Sequence, residues 1–247
     1  MFLIYRSFDE FQAQPATIKL TSDEISHLKA RRLNVSKSEI WLCNGYGKAA
    51  PAKLNESLSK SQPYIEPNYE MTQYKQEPSK IVFSALPKGG RIDTLIEKTT
   101  ELGLTRFIPV SFEHSIRDQY SIERCNRIAI QAANQSRRWY LPVIEPILEF
   151  EDLVSKITGS TNEINFYLLD KLGQPARTLI EKTKPNSAWP TAVIIGPEGG
   201  LTDVELVTLK EVGAFAISLS STILRIETAA IAGMAFLNLL TPESEKH

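Results

Sequence analysis

The stretch VIIGPEGGLT, residues 193–202, is the strongest indication of the fold in this sequence. A run of strand-forming apolar residues enters a glycine-rich loop, and Thr202 and Glu205 beyond it have the spacing of a helix capping box. This strand–loop–helix order is typical of parallel sheets, in which ligands bind at the carboxyl ends of the strands. The loop is not a Walker loop, because no Gly-Lys-Ser/Thr follows, and it is not a dinucleotide-binding fingerprint. From spacing alone, a ligand-binding loop and an ordinary tight connection are equally good interpretations.

A second stretch, SLSSTILRIETAA at residues 218–230, has the same order of strand, small-residue loop and helix. Arg225 and Glu227 stand there among apolar neighbours, where an unpaired charge would be costly. A structural ion pair between the two is one interpretation, and a functional role is the other. Because the two strand–loop–helix segments are so alike, we expect them to form two walls of one pocket.

Strands and helices alternate from Lys80 to the end of the chain. The apolar runs and periodicities predict strands at 81–86, 106–110, 166–170, 192–195 and 215–219. They predict helices at 91–102, 121–138, 176–182, 203–212 and 228–240. Such alternation predicts an α/β domain over residues 80–247, with a mostly parallel sheet covered by helices on both faces.

The first part of the chain has a different pattern, with short strands separated by turn residues. Strands are expected at 2–5, 17–20, 39–43, 49–54 and 64–67, with one short helix at 22–28. This pattern predicts a small, mostly antiparallel β-domain over residues 1–71, and we expect its strands to form a barrel. The polar residues 72–79 are expected to form a linker.

Charge is distributed unevenly along the chain. The 247 residues carry 28 Lys and Arg against 29 Asp and Glu, a net charge of −1. Residues 1–140 carry 20 basic and 15 acidic side chains (+5), and residues 141–247 carry 8 and 14 (−6). Such asymmetry can indicate contact with nucleic acid on one side.

Other classes of protein are disfavoured by composition. Two cysteines cannot form a disulfide framework, and three scattered histidines do not have metal-ligand spacing. No signal peptide is recognisable at the start, and the longest apolar stretch, Ala229 to Leu240, is about half a membrane span. We therefore expect a soluble, cytoplasmic protein without a metal.

Basic side chains are concentrated at three places that could contact RNA phosphates. One is the polar face of the helix at 121–138, which leads into Arg137, Arg138 and Trp139. The second is the run HLKARR at residues 27–32. Lys88 and Arg91 form the third, at the end of the first α/β strand, where the functional edge of the sheet is expected. A solvated surface is the ordinary alternative at the first two places.

These motifs together resemble a known family. They include RSF at 6–8, HLKARR at 27–32, NGYG at 44–47, KGGR at 88–91, EKTTELG at 97–103 and QSRR at 135–138. They also include IGPEGG at 195–200 and ILRIETA at 223–229. In this order the chain resembles the small-subunit ribosomal RNA uracil-N3 methyltransferases of the SPOUT superfamily.

The resemblance implies a trefoil-knotted α/β domain, an N-terminal PUA-like RNA-binding barrel and a homodimer. It implies methylation of N3 of a specific uridine in 16S rRNA, with S-adenosylmethionine as the methyl donor and the small ribosomal subunit as partner. The implied cofactor-binding residues are Leu169, Gly196, Pro197, Glu198, Gly199, Gly200, Leu219, Ser220, Ile223, Leu224, Arg225 and Thr228. The implied RNA-binding residues are Lys29, Arg31, Arg32, Lys88, Arg91, Gln135, Arg137 and Arg138.

Arg225 and Glu227 are the candidate catalytic residues, because they lie between the implied cofactor loop and the last helix. Arg225 would stabilise the negative charge that develops on the base, and Glu227 would orient Arg225 or accept the proton. Two residues depart from the family pattern: Ser220 stands where the family usually has Gly, and His114 where it usually has Arg. The alternatives are a SPOUT enzyme acting on another RNA or on a ribose 2′-oxygen, and a non-catalytic RNA-binding assembly factor.

Overall fold

The computed structural model describes residues 1–30, 39–55, 63–76, 78–116, 119–182 and 189–240. The chain forms two compact units. The N-terminal unit comprises Met1–Gln76 together with Ala133–Leu141, and the C-terminal unit comprises Glu77–Ala132 and Pro142–His247. The segment Ala133–Leu141, called the tail segment below, belongs to the N-terminal unit, although residues 80–247 were all predicted to belong to the α/β domain.

The N-terminal unit is built on a six-stranded sheet. Its elements are β1 (Phe2–Tyr5), α1 (Phe8–Gln12), β2 (Ile18–Lys19), α2 (Ser22–Ala30), β3 (Ile40–Cys43), β4 (Lys48–Leu54), β5 (Tyr64–Pro67) and β6 (Thr72–Gln73). The strand order is β1-β3-β4-β5-β2, with β6 beside β4. Within the described ranges only β1 and β3 pair in parallel, so the predicted mostly antiparallel β-domain is confirmed.

The expected barrel is observed only as a half-barrel. Among the described residues, no pairing joins the end strands β1 and β2, and β2 has two residues, too few to close a cylinder. The sheet also reaches into residues 72–79, expected to be a linker, because Thr72 pairs with Ala49 of β4. The short helix α1 was not predicted, although Ser7 and Glu10 form a capping box at its start.

The tail segment packs on β1 and on the β3–β4 hairpin. The Asn134 side chain bonds both backbone groups of Leu3: its Nδ2 donates to the Leu3 carbonyl at 2.8 Å and its Oδ1 accepts from the Leu3 N–H at 3.4 Å. The Tyr5 hydroxyl donates to the Arg138 carbonyl at 2.5 Å. Trp139 stacks on Tyr74, with 3.9 Å between the ring centroids. These contacts explain why residues 133–141 belong to the N-terminal unit.

The C-terminal unit is a seven-stranded sheet with helices. Its elements are β7 (Lys80–Ser84), α3 (Arg91–Glu101), β8 (Arg106–Ser111), α4 (Ile122–Ser136, whose last residues enter the tail segment), β9 (Val143–Ile144), β10 (Leu148–Glu149), α5 (Phe150–Ser160), β11 (Asn165–Pro175), α6 (Ala176–Lys182), β12 (Thr191–Ile195), α7 (Asp203–Glu211), β13 (Phe215–Ser218) and α8 (Ile226–Leu240). The strand order is β10-β8-β7-β12-β11-β13, with β9 beside β8.

Every pair in this sheet is parallel, which confirms the predicted α/β architecture. The central strands β7 and β12 are buried along their whole length, as near-continuous apolar runs predict. Helix α5 and the two-residue strands β9 and β10 were not predicted. Strand β11 extends five residues beyond its predicted end, because it continues past an irregularity after Leu169.

No helix in the described part of the chain is both long and apolar enough to cross a bilayer. The most apolar one, α8, has 15 residues and packs on α3, β12 and β7. Its apolar character is therefore explained by burial in the core of the C-terminal unit.

Candidate functional site

A cleft of about 520 Å³ lies in the C-terminal unit, at the carboxyl ends of β11, β12 and β13. Three loops form its walls: the glycine-rich loop after β12, the loop between β13 and α8, and the bulge inside β11. Its lining includes these predicted cofactor-binding residues: Leu169, Gly196, Pro197, Glu198, Gly199, Gly200, Leu219, Ser220, Ile223 and Leu224. The expectation that the two strand–loop–helix segments form two walls of one pocket is therefore met.

The glycine-rich loop is held at its far end by a buried carboxylate. Glu205 is 5% exposed, and its Oε2 accepts from the Thr202 N–H at 2.8 Å, closing the predicted capping box. Its Oε1 accepts from the Glu113 N–H at 2.9 Å. One carboxylate thus ties the start of α7 to the segment after β8, which fixes where the loop ends.

Replacing Glu205 by alanine is expected to lower the free energy of unfolding by about 1–3 kcal/mol, because it leaves backbone donors without their acceptor. The matched control is Glu211→Ala in the same helix, where the side chain is exposed and a change within about 0.5 kcal/mol is expected. Denaturant unfolding of the two variants measures the difference. Equal stability of both would contradict the anchoring role of Glu205.

His114 holds the middle of the glycine-rich loop. Its Nδ1 lies 3.0 Å from the Gly200 carbonyl oxygen, and a carbonyl only accepts, so the contact requires a proton on Nδ1. A Cβ on Gly199 would lie 3.1 Å from the Cβ of His114, so a side chain there would press on the histidine. Gly200 has φ +80, a backbone conformation that favours glycine. His114 therefore supports the loop.

Glu198 at the tip of this loop faces two cations. Lys88 Nζ lies 3.1 Å from its Oε2, and Arg91 Nη1 lies 2.9 Å from its Oε1. The hydrogen bond from Lys88 and the charges of both cations lower the pKa of the Glu198 carboxyl below its usual value. Lys88 and Arg91, which were predicted to bind RNA, thus both contact Glu198, which was predicted to bind the cofactor.

The second wall is the loop from Leu219 to Leu224. The Ser220 hydroxyl accepts from the Thr222 N–H at 3.1 Å and lies 2.9 Å from the Thr222 hydroxyl. These are bonds that a glycine could not make, so Ser220 closes its own turn with its side chain. Ile223 is 85% exposed at the rim of the cleft.

The third wall was not predicted beyond Leu169. Between Leu169 and Gln174 the pairing of β11 with β13 shifts, and Asp170, Lys171 and Leu172 of the resulting bulge line the cleft. Gly173 closes the bulge against β13, where a Cβ would lie 2.6 Å from the Ile217 nitrogen. An isolated glycine in a strand pattern is the sequence signal that could have indicated this close approach.

The candidate catalytic residues lie at the start of α8. Arg225 is exposed, and its carbonyl accepts the first helical bond from the Ala229 N–H at 2.8 Å. Glu227 is 8% exposed, and its Oε2 has no hydrogen-bond partner among the described residues. In that part of the chain no ion pair joins Arg225 to Glu227, so the interpretation of the two residues as a mutual ion pair is not supported. Neither Arg225 nor Thr228 lines the cleft, although the neighbouring Ile226 does.

The other predicted RNA-binding residues belong to the N-terminal unit. Lys29 is exposed in the last turn of α2, and Arg31 and Arg32 lie outside the described residues. Gln135, Arg137 and Arg138 lie in the tail segment, where Gln135 and Arg137 are exposed and Arg138 is half-buried. Their contact with RNA stays a prediction.

Comparison with known proteins places this architecture in a family. The family model of the RNA methyltransferase domain matches residues 75–238. The ribosomal RNA small subunit methyltransferase E of Synechocystis is 30% identical over 231 residues, which cover 91% of this chain and 74% of that protein. The chain belongs to the ribosomal RNA small subunit methyltransferase E family.

Two further members illustrate the extent of the similarity. The family member of Bacillus subtilis is 28% identical over 235 residues, covering 91% of each protein. The crystal structure of the Neisseria gonorrhoeae member, bound to S-adenosyl methionine, superimposes with a TM-score of 0.73 at 25% identity and covers 98% of both chains. The family assignment thus applies to both units.

Proposed function

We propose that the protein transfers a methyl group from S-adenosylmethionine to N3 of a specific uridine in 16S rRNA of the small ribosomal subunit. The observation that carries the proposal is the cleft at the carboxyl ends of β11, β12 and β13, in a chain of this family. Membership of the family supports the reaction class, and the names of the relatives support the small-subunit substrate.

The cleft fits the proposed cofactor in size and in character. Its volume of about 520 Å³ is within the usual range for pockets that bind small molecules. Apolar side chains such as Leu169, Ile217 and Leu224 line it, and the backbone of the glycine-rich loop is accessible beside them. This combination suits a ligand with a flat base and polar groups, and the solved family member from Neisseria gonorrhoeae is bound to S-adenosyl methionine.

When bound, S-adenosylmethionine supplies an activated methyl group on a cationic sulfonium. The protein has to orient the uracil and provide an acceptor for the proton on N3. N3 is on the pairing edge of the base, so the target uridine has to be unpaired or splayed out. Loss of the proton places negative charge on N3 and on the flanking oxygens.

We assign stabilisation of that charge to Arg225. Its side chain is exposed beside the cleft and forms no ion pair in the described part of the chain, so the guanidinium is available to the base. Glu227 is assigned the proton-accepting role, since the described part of the chain shows no ion pair with Arg225 through which it could orient the guanidinium. Two observations support this assignment. Glu227 lies in the first turn of α8, where the helix dipole favours negative charge. Its Oε2 has no hydrogen-bond partner among the described residues.

The proposal extends to the fold and the assembly. We propose that the C-terminal unit contains the trefoil knot of SPOUT proteins. After the edge strand β13 the chain turns back, and α8 packs on the central strands β12 and β7, which supports the knot. We propose a PUA-like role in RNA binding for the N-terminal unit, and a homodimer. Exposed apolar side chains on the C-terminal unit support the dimer: Leu172, Val204, Ile223 and Leu239.

We also propose a cytoplasmic location, where small subunits are assembled. The free, buried thiols of Cys43 and Cys125 are consistent with a reducing compartment.

Calorimetric titration with S-adenosylmethionine separates the proposal from its non-catalytic rival. We expect saturable binding with one site per chain, since every chain carries the cleft. An RNA-binding assembly factor that keeps only the fold would release no heat with the cofactor, and such a result would overturn the proposal.

A further inference from the structure

One aromatic ring in the N-terminal unit is exposed and contacts no other ring among the described residues. Tyr46, at the tip of the β3–β4 hairpin, is 63% exposed, more than any other aromatic side chain among the described residues. No ring in that part of the chain stacks on it. The ring of Trp139, by contrast, is covered: Tyr74 stacks on its face and Trp41 contacts it in a T-shaped arrangement.

The backbone that carries Tyr46 is held in place without using its ring. The Asn44 side chain is buried, and its Oδ1 accepts from the N–H groups of Tyr46 at 2.8 Å and Lys48 at 3.1 Å. Gly45 and Gly47 have φ values of +75 and +84, which L-residues rarely adopt. The hairpin tip is therefore a defined turn, and the Tyr46 ring is presented by a pre-organised backbone.

The tail segment supports the same turn. The Leu141 N–H donates to the Gly45 carbonyl at 2.9 Å, and the Gly47 N–H donates to the Trp139 carbonyl at 3.1 Å. Tyr140 pairs with Tyr46 in an antiparallel bridge, but its ring lies over Gly47, where its hydroxyl donates to the Tyr74 carbonyl at 2.8 Å. Tyr140 thus packs on the turn, and Tyr46 is left facing solvent.

A cation with unusual backbone geometry lies close in sequence to this bridge. Arg137 has φ +57, a left-handed conformation that costs an arginine about 1 kcal/mol. Its side chain is exposed. Arg137 directly follows α4, and the Arg138 N–H donates to the Ala133 carbonyl at 2.9 Å, which is the usual closure of a helix by a left-handed residue. The helix end thus fixes the backbone of this exposed guanidinium. An arginine and an exposed aromatic ring on one unit are groups that single-stranded RNA sites combine.

We infer that Tyr46 is a stacking platform for an unpaired base of the RNA substrate, with Arg137 contacting the adjoining phosphate; this inference rests on the proposed function. Because the backbone of the turn is already fixed, only the side-chain freedom of Tyr46 is lost when a base stacks on its ring. Every base has a π-face, so this contact supplies affinity for splayed-out RNA without reading the sequence.

The experiment measures fluorescence anisotropy with a labelled single-stranded RNA of about a dozen nucleotides, and with the same strand annealed to its complement. Tyr46→Ala should weaken binding of the single strand about fivefold or more, while duplex binding stays unchanged, because duplex bases are already stacked. Tyr46→Phe should restore the affinity, since it keeps the ring. Arg137→Gly should weaken both RNAs by reducing phosphate contact.

The matched control is Phe8→Ala, which removes another exposed aromatic ring of the same unit and should change neither affinity. Wild-type affinity of Tyr46→Ala for the single strand, or an equal loss for both RNAs, would overturn the role of Tyr46. Methyl transfer by the wild type to small subunits is measured in parallel. If the wild-type protein transfers no methyl group, the proposed function is contradicted. If it does transfer the methyl group but Tyr46→Ala binds RNA as the wild type does, only the role of Tyr46 is contradicted.

Discussion

Replacing Arg225 by alanine is expected to lower the rate of methyl transfer about 100- to 1000-fold, with the affinity for S-adenosylmethionine close to wild type. The reason is that the guanidinium is assigned to charge that develops only as N3 loses its proton. Arg225 does not line the cleft, so its removal should leave the cofactor contacts in place. Steady-state kinetics with small subunits and calorimetry with the cofactor measure the two quantities.

Two further substitutions sharpen this test. Arg225→Lys keeps the positive charge but loses the planar fork of donors, so a rate between those of wild type and Arg225→Ala is expected. Arg177→Ala removes an exposed arginine of the same unit from α6 and should have no effect. Turnover of Arg225→Ala near the wild-type rate would contradict the assignment. Joint loss of turnover and cofactor binding would make Arg225 part of the binding site instead.

Replacing Gly173 by alanine is expected to lower the free energy of unfolding by about 1–3 kcal/mol and to slow methyl transfer about 100-fold. The new Cβ would lie 2.6 Å from the Ile217 nitrogen and 2.7 Å from the carbonyl carbon of Ala216. Both are backbone atoms, so β13 has to move away from β11. Since β13 leads into the Leu219–Leu224 wall, that movement should displace the wall and weaken cofactor binding as well.

Gly159→Ala is the matched control for this substitution. Gly159 lies in α5, and nothing lies within 4 Å of the position that its Cβ would occupy. Alanine is the better helix former, so this variant should be about 0.5–1 kcal/mol more stable than wild type and fully active. A Gly173→Ala protein with wild-type stability and activity would show that the close approach between β11 and β13 does not exist in solution.

Most of the C-terminal unit could be predicted because its sequence is locally consistent. Residues 192–195 are apolar throughout, and Thr202 and Glu205 mark the start of α7. Strand β12, helix α7 and the loop that joins them were therefore evident. The same reasoning found the loop before α8. Helix α5 was missed because Glu149, the residue before it, is not one of the usual capping residues and makes no side-chain cap, although the acidic first turn is typical of a helix start.

The features that could not be predicted depend on contacts between residues far apart in sequence. The anchor of Glu205 on Glu113 and the contact of His114 with Gly200 both join separate elements. The tail segment is a further case, because Asn134 bonds Leu3, a residue 131 positions earlier. Periodicity and spacing carry information on local structure, and such long-range contacts have no local pattern.

The central claim is that this protein methylates N3 of a uridine in 16S rRNA, and locating the methyl group tests it most directly. Small ribosomal subunits from cells that lack the gene are incubated with the purified protein and S-adenosylmethionine. The rRNA is then digested and analysed by mass spectrometry. We expect a single new methyl group, on N3 of one uracil base. A methyl group on a ribose 2′-oxygen, or rRNA without any new methyl group, would contradict it.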